Sequence, residues 1–161
     1  MHRSARSCAG RLHSSAGFSL AELIMAIAVI GILSAMAVPF FLRYYQSATL
    51  KSGAQQVAAM LNQARELAIK QNGNVCVTLP SPTTMRYMRN DCAAGTPWTG
   101  AGTDAAGNMN LPPGISATVA ANPIFNYVGS ALPAAVYTLT NVQTGATLTV
   151  SVAASGRVTI P

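Results

Sequence analysis

Gly17-Phe18-Ser19-Leu20-Ala21-Glu22 heads an apolar run from Leu23 to Leu42, and this stretch decides the fold. Glu22 is its one charge, and the next is Arg43, twenty residues past the start of the run. An α-helix needs about 20 residues to cross a bilayer core of roughly 30 Å. Ala, Ile, Leu, Val and Met dominate, which suits both helix and lipid. Gly31, Ser34 and Pro39 interrupt the run. Membrane helices tolerate such residues better than soluble ones.

Toward the N-terminus, Met1 to Gly17 carries Arg3, Arg6 and Arg11 and no acid. An ordinary secretory signal is cut after its apolar region, at small residues. Here the small pair Ala16-Gly17 precedes that region. A cut there removes the charged leader and leaves the apolar segment on the mature chain. Positive charge stays cytoplasmic, so the chain beyond Leu42 is expected to face outward. An uncut signal anchor with a chance Glu is the alternative.

The remaining composition describes one small domain. The chain has 161 residues, ten basic and four acidic, for a net charge of +6. Three of the basic residues lie in the leader. Seven against four is too weak a balance to imply nucleic acid or anionic lipid by itself. Of three cysteines, Cys8 lies in the leader, which leaves Cys76 and Cys92 on the outward side, where disulfides form. They are expected to bridge, closing a loop of about 15 residues worth about 3 kcal/mol in the chain-entropy estimate; two free buried thiols are the alternative. Both histidines, His2 and His13, lie in the leader, so no cofactor or metal set is implied.

Past Arg43 the helix is predicted to continue. Leu50, Ala54, Val57, Leu61, Ala64 and Ala68 recur at alternating fours and threes on one face. Lys51, Gln55, Asn62, Arg65, Glu66 and Lys70 lie largely opposite. Asn72-Gly73 ends it, with Gly73 able to take the left-handed conformation. One helix is therefore predicted from about Ser19 to Gln71, bent at Pro39. Its Ala-rich stripe suits close approach of an intramolecular sheet; a coiled-coil partner is the competing reading.

After Gly73 the period changes to that of strands. Val75 to Leu79 is stopped by Pro80 and Pro82, and Thr84 to Arg89 pairs with it as a hairpin. Asn90 to Leu111 reads as a long loop tethered by Cys92 and pinned by Trp98. Further strands are predicted at Ile115–Val119, Ile124–Val128, Val136–Thr140, Ala146–Val152 and Arg157–Ile160. Turns separate the last three at Asn141–Gly145 and Ala153–Gly156. The fold class is α+β: a long N-terminal transmembrane and amphipathic helix packed on a C-terminal antiparallel β-sheet domain.

Gly17-Phe18-Ser19-Leu20-Ala21-Glu22-Leu23 resembles the class III signal of type IV pilins and pseudopilins. The resemblance covers Gly17, Phe18, Leu20, Glu22 and the apolar run, with Pro39 where that family has a helix-kinking proline. It implies that prepilin peptidase cuts between Gly17 and Phe18 and N-methylates Phe18, and that Glu22 pairs with the Phe18 amine of a neighbouring subunit during assembly. The long helix, the β-domain, Cys76, Cys92, Trp98-Thr99-Gly100 and the closing Ser155-Gly156-Arg157-Val158 are similar to the GspH/FimT group of minor pilins. No cysteine pair brackets the C-terminus as in major pilins, which favours a minor component.

The resemblance thus implies a cleaved leader at 1–17, a transmembrane assembly helix at 18–42, its amphipathic continuation at 43–72 and a periplasmic β-rich domain at 73–161. It implies an inner-membrane, single-pass protein assembling with other pilins or pseudopilins into a type II secretion pseudopilus or a type IV pilus. Catalysis is not indicated: the Ser and Thr residues lack a base to activate them, and phosphate-binding Gly motifs are missing. Asp91 and Asp104 in one loop are weak as a cation site. Two rivals remain. One is a membrane-anchored periplasmic binding domain that never polymerises. The other is DNA uptake, since some FimT members use a Gly-Arg-x-Arg-like motif. Here Arg157 supplies the first basic residue and Thr159 stands in place of the second, so nucleic acid is disfavoured.

Overall fold

The computed structural model describes residues 17–161; of the leader expected at 1–17, all but Gly17 lies outside them. The first element, α1, spans Leu20–Lys70. The chain divides into two units at Phe40/Phe41. In the first unit, Pro39 lies inside the helix and cannot donate to the Ala35 carbonyl one turn back.

In the second unit α1 turns its small residues inward. Leu50, Gly53, Ala54, Val57, Met60, Leu61, Ala64 and Ala68 are buried. The six stripe positions are therefore the core face, with Gly53 and Met60 added. A Cβ on Gly53 would sit 3.3 Å from Ile115 Cγ1 and 3.7 Å from Leu139 Cδ2. The helix backbone thus approaches the strands that carry those residues as closely as a missing side chain permits.

The helix ends one residue earlier in its turn chemistry than expected. Asn72, not Gly73, takes the left-handed conformation, at φ 47°. Gly73 N–H donates to the Ala68 carbonyl and Asn72 N–H to the Ile69 carbonyl, the paired bonds of a Schellman cap. Asparagine tolerates this region because its short polar side chain bonds locally.

Ten strands follow: β1 (Val75–Ser81), β2 (Thr84–Arg89), β3 (Thr96–Pro97), β4 (Asn108–Asn110), β5 (Ile115–Val119), β6 (Ile124–Phe125), β7 (Ala131–Leu132), β8 (Ala135–Asn141), β9 (Thr147–Val152) and β10 (Val158–Thr159). They form two antiparallel sheets. One runs β3-β2-β1-β6-β7, with β4 also on β2; the other runs β10-β9-β8-β5. β1 and β2 make the expected hairpin, Val75 opposite Arg89 and Val77 opposite Tyr87. On β8, Ala135, Tyr137, Leu139 and Asn141 point inward in strict alternation, the period-2 signature of a half-buried strand. Both sheets and α1 share one core, whose largest fully buried side chains include Tyr87, Tyr137, Phe125 and Leu61.

Two expectations change. The loop from Asn90 to Leu111 is not structureless: β3 and β4 both pair with β2 from within it. The strand expected over Ile124–Val128 stops at Phe125. Asn126 Oδ1 accepts the N–H groups of Val128 and Ser130, so its side chain folds the backbone into a turn. That turn leads into β7, a two-residue strand that pairs with β6.

Candidate functional site

Gly17 and Phe18 precede the helix, and Phe18 is 77% exposed. The Ser19 carbonyl accepts the N–H groups of Glu22 and Leu23 at 3.0 and 3.1 Å, so α1 starts there and places Glu22 in its first turn. The positive end of the helix dipole favours an acid at that position. Every large apolar side chain from Phe18 to Leu42 is more than half exposed. So extended an apolar surface marks a lipid or protein contact. Among the described residues the one ion pair joins Lys70 to Glu66, and no cation among those residues pairs with the Glu22 carboxylate. An uncompensated carboxylate in hydrocarbon costs several kcal/mol.

The middle of the chain is built for rigidity. Cys76 and Cys92 form a disulfide that ties β1 to the segment after β2. Trp98 is half-buried and packs against Tyr87, ring centroids 5.8 Å apart. Gly100 lies so close under the Trp98 ring that a Cβ there would collide with it, which explains a glycine at that place. The Tyr87 hydroxyl donates to the Met60 carbonyl at 2.7 Å, binding β2 to α1. Burial pushes the phenols of Tyr87 and Tyr137 far above their ordinary value, so both are neutral structural groups.

The acids of this region serve their own turns. Asp91 Oδ1 accepts the Ala93 N–H. Asp104 accepts the backbone N–H and side-chain amide of Asn108 and the N–H of Ala106. The Asn108 backbone bond, then its side-chain bond, hold the Asp104 carboxyl below the usual carboxylate range, and Arg86 adds to this. Arg86 donates through Nε and Nη2 to Asn108 Oδ1 at 2.9 and 2.7 Å. That guanidinium is therefore engaged internally.

The Gly156-Arg157 turn joins β9 to β10. Arg157 is exposed and its carbonyl accepts the Ala153 N–H. Thr159, where a second basic residue would stand, is locked into the sheet through a 2.8 Å contact with Ser151 Oγ. A single phosphate contact gives little affinity.

Two features had no clear sequence signal. Asn141 is the one buried polar residue among those described. Its Nδ2 donates to the Gln46 carbonyl of α1 while its Oδ1 accepts from Gln143 and Thr144, so one side chain closes the β8–β9 turn and fastens it to the helix. Gly129 and Gly156, both at positive φ, meet over Arg65 of α1, whose Nε is buried and unpaired among the described residues. An Asn three residues before Thr-Gly is a readable turn signal, but its helix partner lies 95 positions away.

Residues 12–38 match the prokaryotic N-terminal methylation motif, and residues 53–157 match the family described as type II transport protein GspH. The prepilin peptidase-dependent protein D of Escherichia coli K12 is 34% identical over 77 residues, which cover 45% of this chain and 53% of that protein. The chain thus spans about half the length of this curated relative. The type IV minor pilin FimU of Pseudomonas aeruginosa has a similar fold, with TM-score 0.54 and 16% identity over 73% of this chain and 92% of that one. The minor pseudopilin EpsH of the Vibrio cholerae type 2 secretion system is similar at TM-score 0.54 and 12% identity, over 70% and 95%.

Proposed function

The chain belongs to the type II transport protein GspH family, and from that premise we propose that it works as an assembling minor pilin or pseudopilin, by packing and not by catalysis. Its family and fold are those of structural pilins, and the apolar helix with the methylation motif supports anchoring in the inner membrane. In the reading proposed here, prepilin peptidase removes residues 1–17 and methylates Phe18. Residues 18–42 pass from bilayer to filament core, 43–72 carry the domain on the same helix, and 73–161 face the periplasm. Glu22 pairs with the Phe18 amine of the adjacent protomer and sets axial register, while Pro39 gives the helix a bend for packing. Sibling pilins are the partners, in a type II secretion pseudopilus or a type IV pilus.

The observation that carries this reading is the exposure of every large apolar side chain from Phe18 to Leu42, headed by one acid in the first turn that has no ion-pair partner among the described residues. A neighbour's amine supplies the missing charge and a neighbour's helix covers the apolar surface. Mass spectrometry of the mature N-terminus tests the processing step: a methylated Phe18 supports it, and a chain starting at Met1 refutes it. Glu22→Ala tests register. Incorporation into the filament is expected to drop at least tenfold while membrane insertion is kept; unchanged incorporation removes the proposed pairing.

A further inference from the structure

Arg65, on the part of α1 that packs against the sheets, has no partner for its Nε among the described residues. It joins no ion pair among them either. A guanidinium keeps its charge at any ordinary pH, so it cannot escape the cost of burial by losing a proton. One turn from each sheet holds it in place. Gly129, in the β6–β7 turn, lies so near that a Cβ there would stand 2.8 Å from Nε and 3.4 Å from Nη2. Gly156, in the β9–β10 turn, would put a Cβ 3.2 Å from Nε and into the Gly129 carbonyl. The Ala131 N–H donates to the Ala154 carbonyl, which fastens one turn to the other. The guanidinium is thus clamped at Nε. Arg65 as a whole is only half-buried, so its terminal amino groups are the part that reaches the surface.

The surface around it is apolar. Ile69 Cδ1 comes within 3.0 Å of the same Gly129 Cβ position. Tyr127 and Val128 lead into Gly129, and all three apolar side chains are exposed. Arg157, next after Gly156, is exposed and adds a second positive charge. Arginine and tyrosine in an apolar surround are the composition of interface hot spots. A held, planar fork of donors matches a carboxylate through two parallel N–H···O bonds. Neither this chain nor a second copy has that carboxylate to offer. Of its four acids, Glu66 pairs with Lys70. Asp91 and Asp104 accept N–H groups of their own turns, and Glu22 heads the apolar run of α1.

We propose that this patch docks an acidic side chain of a neighbouring subunit that is not a copy of this chain. The carboxylate sits on the terminal amino groups of Arg65, and an apolar neighbour of that acid covers Ile69 and Val128. The contact is one-way: this chain receives the acid and has none to give back. Copies of it therefore cannot repeat the contact along a fibre, and the patch marks a junction between unlike subunits. The inference rests on the assembling reading above.

The test replaces Tyr127 of the full chain with photoreactive p-benzoylphenylalanine, irradiates cells that make it, and maps the joined peptides by mass spectrometry. The expected product joins this chain to a different filament subunit, at a segment with an Asp or Glu beside an apolar residue. Arg65→Gln should lower its yield by about tenfold or more, because the partner's acid is then left unpaired. Val128→Asp, at an exposed turn position that keeps Arg65, should lower it by a similar factor, and Val128→Lys should leave it in place. A yield that survives Val128→Asp overturns the proposal whatever Arg65→Gln does, since a misfolded domain would explain the latter. An equal loss with Val128→Lys overturns it as well, because shape and not charge then decides. So does a joined segment without an acid, a joined nucleic acid, or a product between two copies of this chain. A chain with methylated Phe18 that enters the filament and gives no product overturns the docking site alone. A chain still starting at Met1 and absent from the filament removes the assembling reading with it.

Discussion

The two halves of α1 bury their apolar residues in opposite ways. From Phe18 to Leu42 the large side chains Ile, Leu, Val, Met and Phe lie on all sides and are exposed. From Leu50 to Ala68 a narrow stripe of mostly small residues is buried against the domain's own sheets. A helix that is apolar all round has no solvent face and must be covered on every side, by lipid or by other helices. A helix with a thin Ala-rich stripe needs a single partner that comes close. One continuous element thus serves two solvents, and substitutions in its two halves should have separable effects.

Leu61→Ala should give the largest change. Leu61 is fully buried, and truncation of such a leucine costs about 2–5 kcal/mol. Chemical denaturation of the full chain in detergent should show that loss, with membrane insertion unchanged. Ile30→Lys should do the reverse. A lysine at the centre of a spanning helix costs about 3 kcal/mol of insertion, so membrane yield should fall while the domain's denaturation midpoint stays put. Equal effects of both substitutions on both readouts would dissolve the distinction between the halves.

Where the helix stops is the next test. Asn72→Ala places a Cβ-bearing residue without local hydrogen bonding at positive φ, which costs about 1 kcal/mol. Asn72→Gly should be neutral or slightly stabilising, measured the same way. The smallest effect is confined to the loop after β3. The Asp104 pKa is lowered in the fold, so its contribution is present above the ordinary carboxylate value and lost as pH falls through the lowered one. Amide resonances of Ala106 and Asn108 should shift together below pH about 3.8, with the core unaffected. Shifts that begin near pH 6 would assign the loop's order to another group.

Much of this was readable in the residues. The six stripe positions from Leu50 to Ala68, the β1–β2 hairpin and the turns at Asn141–Gly145 and Ala153–Gly156 follow from local periodicity and turn chemistry. The failures share a cause. Asn126 outcompeted a strand by bonding its own backbone, and Asn72 displaced Gly73 at the cap, because asparagine side chains offer local bonds that propensity alone does not rank. β3, β4 and β7 are two or three residues long and exist through their partners. No pattern of their own announces them.

By itself the sequence determined the element types, the place where one helix changes from apolar all round to striped, and the single acid at its head. These are one-dimensional properties, set by the spacing of side chains along a regular backbone. Only the tertiary structure decided the split into two sheets, the Gly53 contact with Ile115 and Leu139, the Asn141 bond to the Gln46 carbonyl and the meeting of Gly129 and Gly156 over Arg65. The last three depend on residues about 60 to 95 positions apart meeting in space. Such meetings are fixed by the shape of the shared core, to which every element contributes and which no local stretch encodes.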